Sequence, residues 1–267
     1  MTPLLPLTQT NRSSMSSLTV SDVTLTFGGL HALSSVSMEL QPGLVTSIIG
    51  PNGAGKTCIL NCISGFYHPS SGEIHYLGQR LTKLSPHQIS KIGISRAFQN
   101  LELFRGLSVL DNLMLARHKN LQYSLLHAFF YFGKASRMEA ENREHVEKVI
   151  DFMELEPYRQ KVVGNLSYGV QKRVEVARAL TLSPQLILLD EPMAGMNVEE
   201  KEDMVRFIFD LKNEWGLTVV LVEHDLGVVM DISDHIYVLD FGEIIGAANA
   251  EQVSSNPKVI EAYIGEE

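Results

Sequence analysis

GPNGAGKT, residues Gly50 to Thr57, closes the apolar run LVTSIIG, residues 44–50, and the two stretches together decide the fold. The run stops at a glycine and suits a strand buried on both faces. The octapeptide satisfies G-x-x-x-x-G-K-[ST], and a helix is expected from Lys56. In that context the glycines let consecutive backbone N–H groups turn inward around phosphates, and the helix N-terminus adds its positive end. Lys56 would reach the outer phosphates as a point charge, and Thr57 would offer a hydroxyl to Mg²⁺. The expected phosphate-binding set is Gly50, Pro51, Asn52, Gly53, Ala54, Gly55, Lys56, Thr57 and the adjoining Cys58. Four fixed positions would match by chance in only about one chain in a hundred of this length.

Such a site needs a carboxylate at the end of a neighbouring strand. LILLDEP supplies Asp190 and Glu191 behind four apolar residues. Asp190 would hold the Mg²⁺ shell, and Glu191 is placed to orient or deprotonate an attacking water. The plainer alternative is a helix N-cap pair at a strand end.

Upstream, Val23, Leu25 and Phe27 alternate with threonines, and Val36, Met38 and Leu40 alternate with small or polar residues, so two half-buried antiparallel strands open the chain. After the P-loop helix a turn is expected at HPSSG, a strand near Glu73 to Leu77, and a helix entered at Ser85-Pro86. From Ser108 to Glu156 the periodicity turns helical, with Ser108 and Asp111 at capping-box spacing and Pro157 closing the last helix. LILLD and TVVLVEH, 218–224, then alternate with helical patterns at 198–213 and 225–232, the grammar of a parallel sheet. IYVLDFGEII reads as a closing hairpin and PKVIEAYIGEE as a short terminal helix.

Composition is that of a soluble folded chain, with 45% apolar and 20% charged residues among 267. A net charge of −9 argues against a duplex nucleic-acid binder, so no nucleic-acid partner is expected. Cys58 and Cys62 lie four apart in one expected helix, poor geometry for a disulfide, which favours a reducing compartment. They read as small core residues rather than metal ligands. Residues 1–16, with two prolines in their apolar part and no preceding basic residue, read as a mobile tail rather than a signal peptide, and Met15 is a second candidate start. The apolar run YSLLHAFFYFG, 123–133, is far short of the roughly 20 residues that span a bilayer. It reads either as subdomain core or as a surface that docks on a helix of another chain.

With these motifs in order, the chain resembles the ATP-binding subunits of ABC transporters from about Leu18 to its C-terminus. Gln99 in SRAFQN is similar to the family's Q-loop glutamine, which contacts Mg²⁺ and couples to the membrane subunits. LSYG resembles the signature motif, AGMN the D-loop, and His224 the switch histidine that positions the water against the γ-phosphate. Phe27 stands where the family carries an aromatic that stacks on adenine, with a buried strand residue as the equal alternative. The fold so implied is α/β, a P-loop NTPase core with a parallel sheet, an N-terminal antiparallel β subdomain and an α-helical subdomain inserted at about 100–182, within one domain over 17–267.

The start of LSYGVQKRVEVARAL also reads physically. Ser167 at an N-cap and Gly169 in the first turn leave backbone donors open to an anion. In the family the signature of one subunit closes on the P-loop nucleotide of another, so hydrolysis requires a head-to-tail pair, homo- or heterodimeric. Two departures stand out: LSYGV replaces L-S-G-G-Q, placing Tyr168 for a glycine and Val170 for the glutamine, and Asn197 replaces the usual D-loop aspartate. Val170 removes a polar side chain and is expected to weaken that half of the composite site.

FGGLHAL, LFRGLSVLDNL, EPMAGMN and SDHIYVLDFGE are most similar to one ATP-binding subunit of branched-chain amino acid uptake systems. The resemblance implies ATP and Mg²⁺ as cofactors, a second ATP-binding subunit, two membrane permeases and an extracytoplasmic solute-binding protein. It also implies a peripheral place on the cytoplasmic face of the inner membrane. Relatives carrying urea, amides or aromatic acids share this vocabulary. A soluble ABC-type ATPase of repair or translation is disfavoured by the single nucleotide domain, the missing coiled-coil insertion and the acidic charge. A non-hydrolysing regulatory partner, suggested by Val170 and Asn197, is opposed by Lys56, Glu191 and His224.

Overall fold

The computed structural model describes residues 17–118, 134–254, 256 and 259. Alternation at the start of the chain produces β1 (Leu18–Phe27) and β2 (Leu30–Leu40), paired antiparallel. Val20, Val23, Leu25, Val36 and Met38 face inward and are buried. The continuous run forms β3 (Val45–Ile49), buried at every residue, and the P-loop leads into α1 (Lys56–Ile63). β4 (Ser71–Tyr76) and β5 (Gln79–Arg80) complete a four-stranded sheet of order β2-β1-β4-β5. The strand expected near Glu73–Leu77 thus starts earlier, and Leu77 lies in the turn with φ 48°.

Ser85 caps α2 (Pro86–Lys91) in a reciprocal capping box with Gln88. Next comes β6 (Ile94–Ala97), a strand that periodicity alone did not mark. Four residues with an arginine in the middle carry too little alternation to read as a strand. Helices α3 (Val109–His118) and α4 (Lys134–Phe152) follow, and Ser108 accepts from the Asp111 amide as its spacing predicts. The expected closure at Pro157 needs correction. α4 ends at Phe152, and Pro157 lies in a 3-10 turn, Glu156–Tyr158, tied by Leu155 N–H to the Ile150 carbonyl.

The remaining elements are α5 (Tyr168–Leu180), β7 (Leu186–Asp190), α6 (Val198–Asn213), β8 (Thr218–Val222), α7 (Leu226–Ile232), β9 (His235–Asp240), β10 (Glu243–Ala248) and α8 (Ala250–Ser254). The second sheet has order β10-β9-β3-β8-β7-β6, parallel throughout except for the β9–β10 hairpin. The mobile-tail reading of 1–16, the YSLLHAFFYFG run and nearly all of PKVIEAYIGEE lie outside the described residues.

Period-two geometry explains why β7 and β8 are apolar throughout. Ile187, Leu189, Val219 and Leu221 face a core shared with α3 to α6, whereas Leu186, Leu188, Val220 and Val222 face a core shared with α1 and the antiparallel sheet. On α6, Met204, Phe207, Ile208 and Leu211 form the single stripe that meets this sheet. The P-loop and the C-terminal ends of β7 and β8 therefore open at one edge of the parallel sheet, where ligands of open α/β sheets bind. Among the described residues no helix is long and apolar enough to cross a membrane.

Candidate active site

Two glycines of the P-loop are demanded by their surroundings. Gly50 has φ 146°, and a Cβ there would lie 1.9 Å from the Leu239 carbonyl oxygen of β9. Gly55, the residue before α1, has φ 103°, and its Cβ would meet the Ala32 oxygen at 2.7 Å. Only glycine lets the loop press against β9 and β2 in this way. Lys56 is buried and folds back, donating to the carbonyls of Gly50 at 2.7 Å and Pro51 at 2.8 Å. Thr57 is exposed at the start of α1, Cys58 is half-buried, and Cys62 is a core residue whose thiol burial pushes up to about 12.

Three of the residues singled out from sequence converge. Glu191 accepts from Gln99 Nε2 at 2.5 Å through one carboxylate oxygen and makes a short contact with His224 Nε2 through the other. They arrive from the loop after β6, the end of β7 and the end of β8, far apart in the chain but adjacent in the sheet. Glu191 sits at φ 49°, a conformation that costs about 1–3 kcal/mol in a non-glycine residue. Asp190, 2% exposed, pairs with Arg96 at 2.6 Å through Oδ2, and its Oδ1 has no hydrogen-bond partner among the described residues. A buried carboxylate oxygen left unpartnered at a P-loop suits a magnesium shell, so the chain's donor set fits that ion.

Sequence reading missed the supports behind this cluster. Arg96 donates to Asn61 Oδ1, Ser64 Oγ and Asp190 Oδ2, and its guanidinium lies 4.8 Å from the Phe98 ring centre. Lys172, 1% exposed, donates to the Gln99 carbonyl at 2.6 Å and the Glu191 carbonyl at 3.2 Å. Burial pushes its ammonium below the usual lysine range, and Glu175, Glu223, Glu191 and Asp190 oppose that shift. Buried Glu223 accepts from Met193 N–H at 2.9 Å and from His224 N–H at 3.2 Å, and burial pushes its carboxyl up. The available signal was charge inside apolar or helical context: Arg96 in a strand, Lys172 on a helix face that is otherwise core.

Ser167 caps α5 and accepts from Val170 N–H at 3.4 Å. Among the described residues no hydrogen bond joins Ser167 or Gly169 to the P-loop; both stand on their own turn. A Cβ on Gly169 would come within 2.2 Å of the Glu200 carboxylate, and one on Gly195 within 3.0 Å of the Tyr168 ring. Tyr168 thus packs on the AGMN loop. Val170 is 6% exposed and belongs to the core, so its apolar character has a packing reason. Asn197 caps α6 in a reciprocal capping box with Glu200, a role that asparagine fills as well as aspartate. Phe27, at the end of β1, is 46% exposed and packs edge-on against Tyr67 with ring centres 5.2 Å apart. The buried-strand alternative for Phe27 does not hold.

The family profile described as ABC transporter matches residues 33–194. The chain belongs to the ABC transporter ATP-binding family. This ABC subunit is 40% identical over 249 residues to the high-affinity branched-chain amino acid transport ATP-binding protein BraF of Pseudomonas aeruginosa, covering 93% of this chain and 98% of the relative. It is 39% identical over the same length to LivG of Escherichia coli K12, with the same coverage. A probable LivG of Methanocaldococcus jannaschii is 36% identical over 259 residues, 96% of this chain and 100% of the relative.

Among solved structures, a nucleotide-free ATP-binding cassette from an ABC transporter superposes with TM-score 0.82 at 34% identity, covering 94% of this ABC subunit and all of that chain. A dimeric cassette in a post-hydrolysis state with ADP and Pi gives TM-score 0.74 at 27% identity, covering 87% and 98%. The expected fold class therefore holds: this is a nucleotide-binding ATPase subunit of the ABC type.

Proposed function

We propose that this subunit binds and hydrolyses ATP to power an ABC importer of branched-chain amino acids or related small polar solutes. The observation that carries the mechanism is the meeting of Gln99 and His224 on the Glu191 carboxylate, beside Asp190. The N–H groups of Gly50 to Thr57 cradle the phosphates, Lys56 turns from the Gly50 and Pro51 carbonyls to the outer phosphates, and exposed Phe27 stacks on adenine. Glu191 takes the proton of the attacking water, and His224 holds that water toward the γ-phosphate. Thr57, Asp190 and Gln99 would hold Mg²⁺, which when bound neutralises charge on the β- and γ-phosphate oxygens.

Ser167 and Gly169 serve the nucleotide of a second ATP-binding subunit in a head-to-tail pair, homo- or heterodimeric. The relatives' names support the substrate class. The helices between about 100 and 182 form the inserted subdomain of one domain over 17–267. A groove of ≈ 990 Å³ beside the Gln99 loop, with exposed Phe66 and Phe104 and with Phe98 and Leu115 in its wall, supports contact with a permease. The subunit then sits on the cytoplasmic face of the membrane, with the solute-binding protein on the far side.

Purification of the full chain from native membranes in mild detergent tests this reading. Two permeases and a second ATP-binding subunit should co-purify, and ATPase activity should rise when solute-loaded binding protein is added. Recovery of the chain alone, with activity indifferent to that protein, would overturn it.

A further inference from the structure

Among the described residues Lys172 is one of the largest side chains that are fully buried, and it is charged. Burying an ammonium is costly unless its hydrogens are used. Here they go to the backbone oxygens of Gln99 and Glu191, the two residues whose side chains meet at the proposed base. Glu191 holds a left-handed backbone conformation that needs outside support, and its carbonyl receives that support from Lys172 while its N–H donates to Val222 at 2.9 Å.

Lys172 stands four residues after Tyr168 on α5, hence on the same face, with Nζ 5.8 Å from the Tyr168 ring centre. The same helix begins at Ser167 and Gly169. Glu223, whose charge acts on Lys172, holds the amides of Met193 and His224. The two buried charges thus grip the loop after β6, the turn after β7 and the end of β8 from behind.

We infer that Lys172, backed by Glu223, is a positioning residue for hydrolysis. It fixes the backbones of Gln99 and Glu191 so that their side chains meet, and it ties the signature helix to this chain's own hydrolytic carboxylate. The inference rests on the reading of Glu191 as the base. Lys172 and Glu223 are both buried and bond to backbone groups, so binding and turnover should separate.

The test uses the full-length chain with Lys172→Met, Lys172→Gln and Lys172→Arg, a fluorescent ATP analogue for affinity, and steady-state hydrolysis. Lys172→Met should hold nucleotide affinity within about twofold and lower kcat about 10- to 100-fold, the cost of a displacement near 1 Å. Lys172→Arg keeps donors for both carbonyls and should recover most of the rate. The imidazole ¹⁵N signals of His224 should shift in the Met variant and return in the Arg variant. If Lys172→Met does not fold, Lys172→Gln carries the same comparison. Parent-like kcat in the Met or Gln variant overturns the inference, and so does a matched loss of affinity and rate that arginine fails to restore. A parallel Glu191→Gln variant separates the failures. Full hydrolysis there refutes the base assignment, whereas an inactive Glu191→Gln beside a fully active Lys172→Met refutes the Lys172 role alone.

Discussion

Arg96→Met should destabilise the folded chain more than its single charge suggests, because of what it abandons. The Arg96 and Asp190 side chains are 5% and 1% exposed and meet at 2.6 Å. Asp190 Oδ1 already has no partner among the described residues, so removing Arg96 leaves a buried carboxylate with neither oxygen paired. Breaking a buried pair from one side costs about 3–5 kcal/mol. The other two groups add little. Ser64 Oγ keeps its donation to the Leu60 carbonyl at 2.7 Å, and Asn61 is only partly buried. Methionine also retains the apolar stem that packs by Phe98. In urea unfolding without nucleotide or Mg²⁺, the single variant should lose about 4 kcal/mol, roughly a thousandfold in the folding constant. Arg96→Met with Asp190→Asn removes the stranded charge and should recover about 2 kcal/mol, the coupling expected of residues in contact. A single-variant loss under about 1 kcal/mol, or a double variant at the simple sum, would refute the reasoning.

Two shorter expectations rest on the P-loop. Gly50→Ala should abolish soluble folding, because its Cβ meets the β9 backbone at 1.9 Å, whereas Gly53→Ala, with nothing within 4 Å at φ 80°, should cost only about 1–2 kcal/mol of left-handed strain. Soluble yield and thermal midpoints check this, and the reverse order would contradict it. Burial raises the Cys58 thiol and takes Cys62 to about 12, so both are protonated at neutral pH and their thiolate fractions still rise beyond pH 9. Maleimide labelling of the folded chain should therefore be slow for Cys58, slower still for Cys62, and still accelerating at pH 9. A rate that levels off below that pH would show an activated thiol and contradict the burial argument.

Local chemistry made much of this molecule legible in sequence. The run at 44–50 reads as a strand because every residue of β3 is buried, and α6 spans 198–213 because its apolar stripe and its Asn197 cap agree. The meeting of Glu191 and His224 was legible only as two strand ends, since their contact depends on β7 and β8 being neighbours. What stayed hidden depends on burial of polar groups. Arg96 breaks the pattern of β6 because Asp190 lies across the sheet to receive it. Lys172 sits on a buried helix face because two distant carbonyls use its hydrogens. Val170 reads from sequence as a weakened nucleotide contact, yet it packs in the core. No window along the chain contains these partners, so periodicity cannot report them.

The central claim is that Glu191 is the base of an ATPase completed by a second subunit. The direct measurement is single-turnover hydrolysis together with light scattering on a Glu191→Gln chain supplied with ATP and Mg²⁺. The account predicts loss of hydrolysis by about 10²- to 10⁴-fold, with ATP retained in a stable dimer. Hydrolysis at the parent rate, or an ATP-loaded chain that stays monomeric at all concentrations both alone and with the co-purified second subunit, would contradict it.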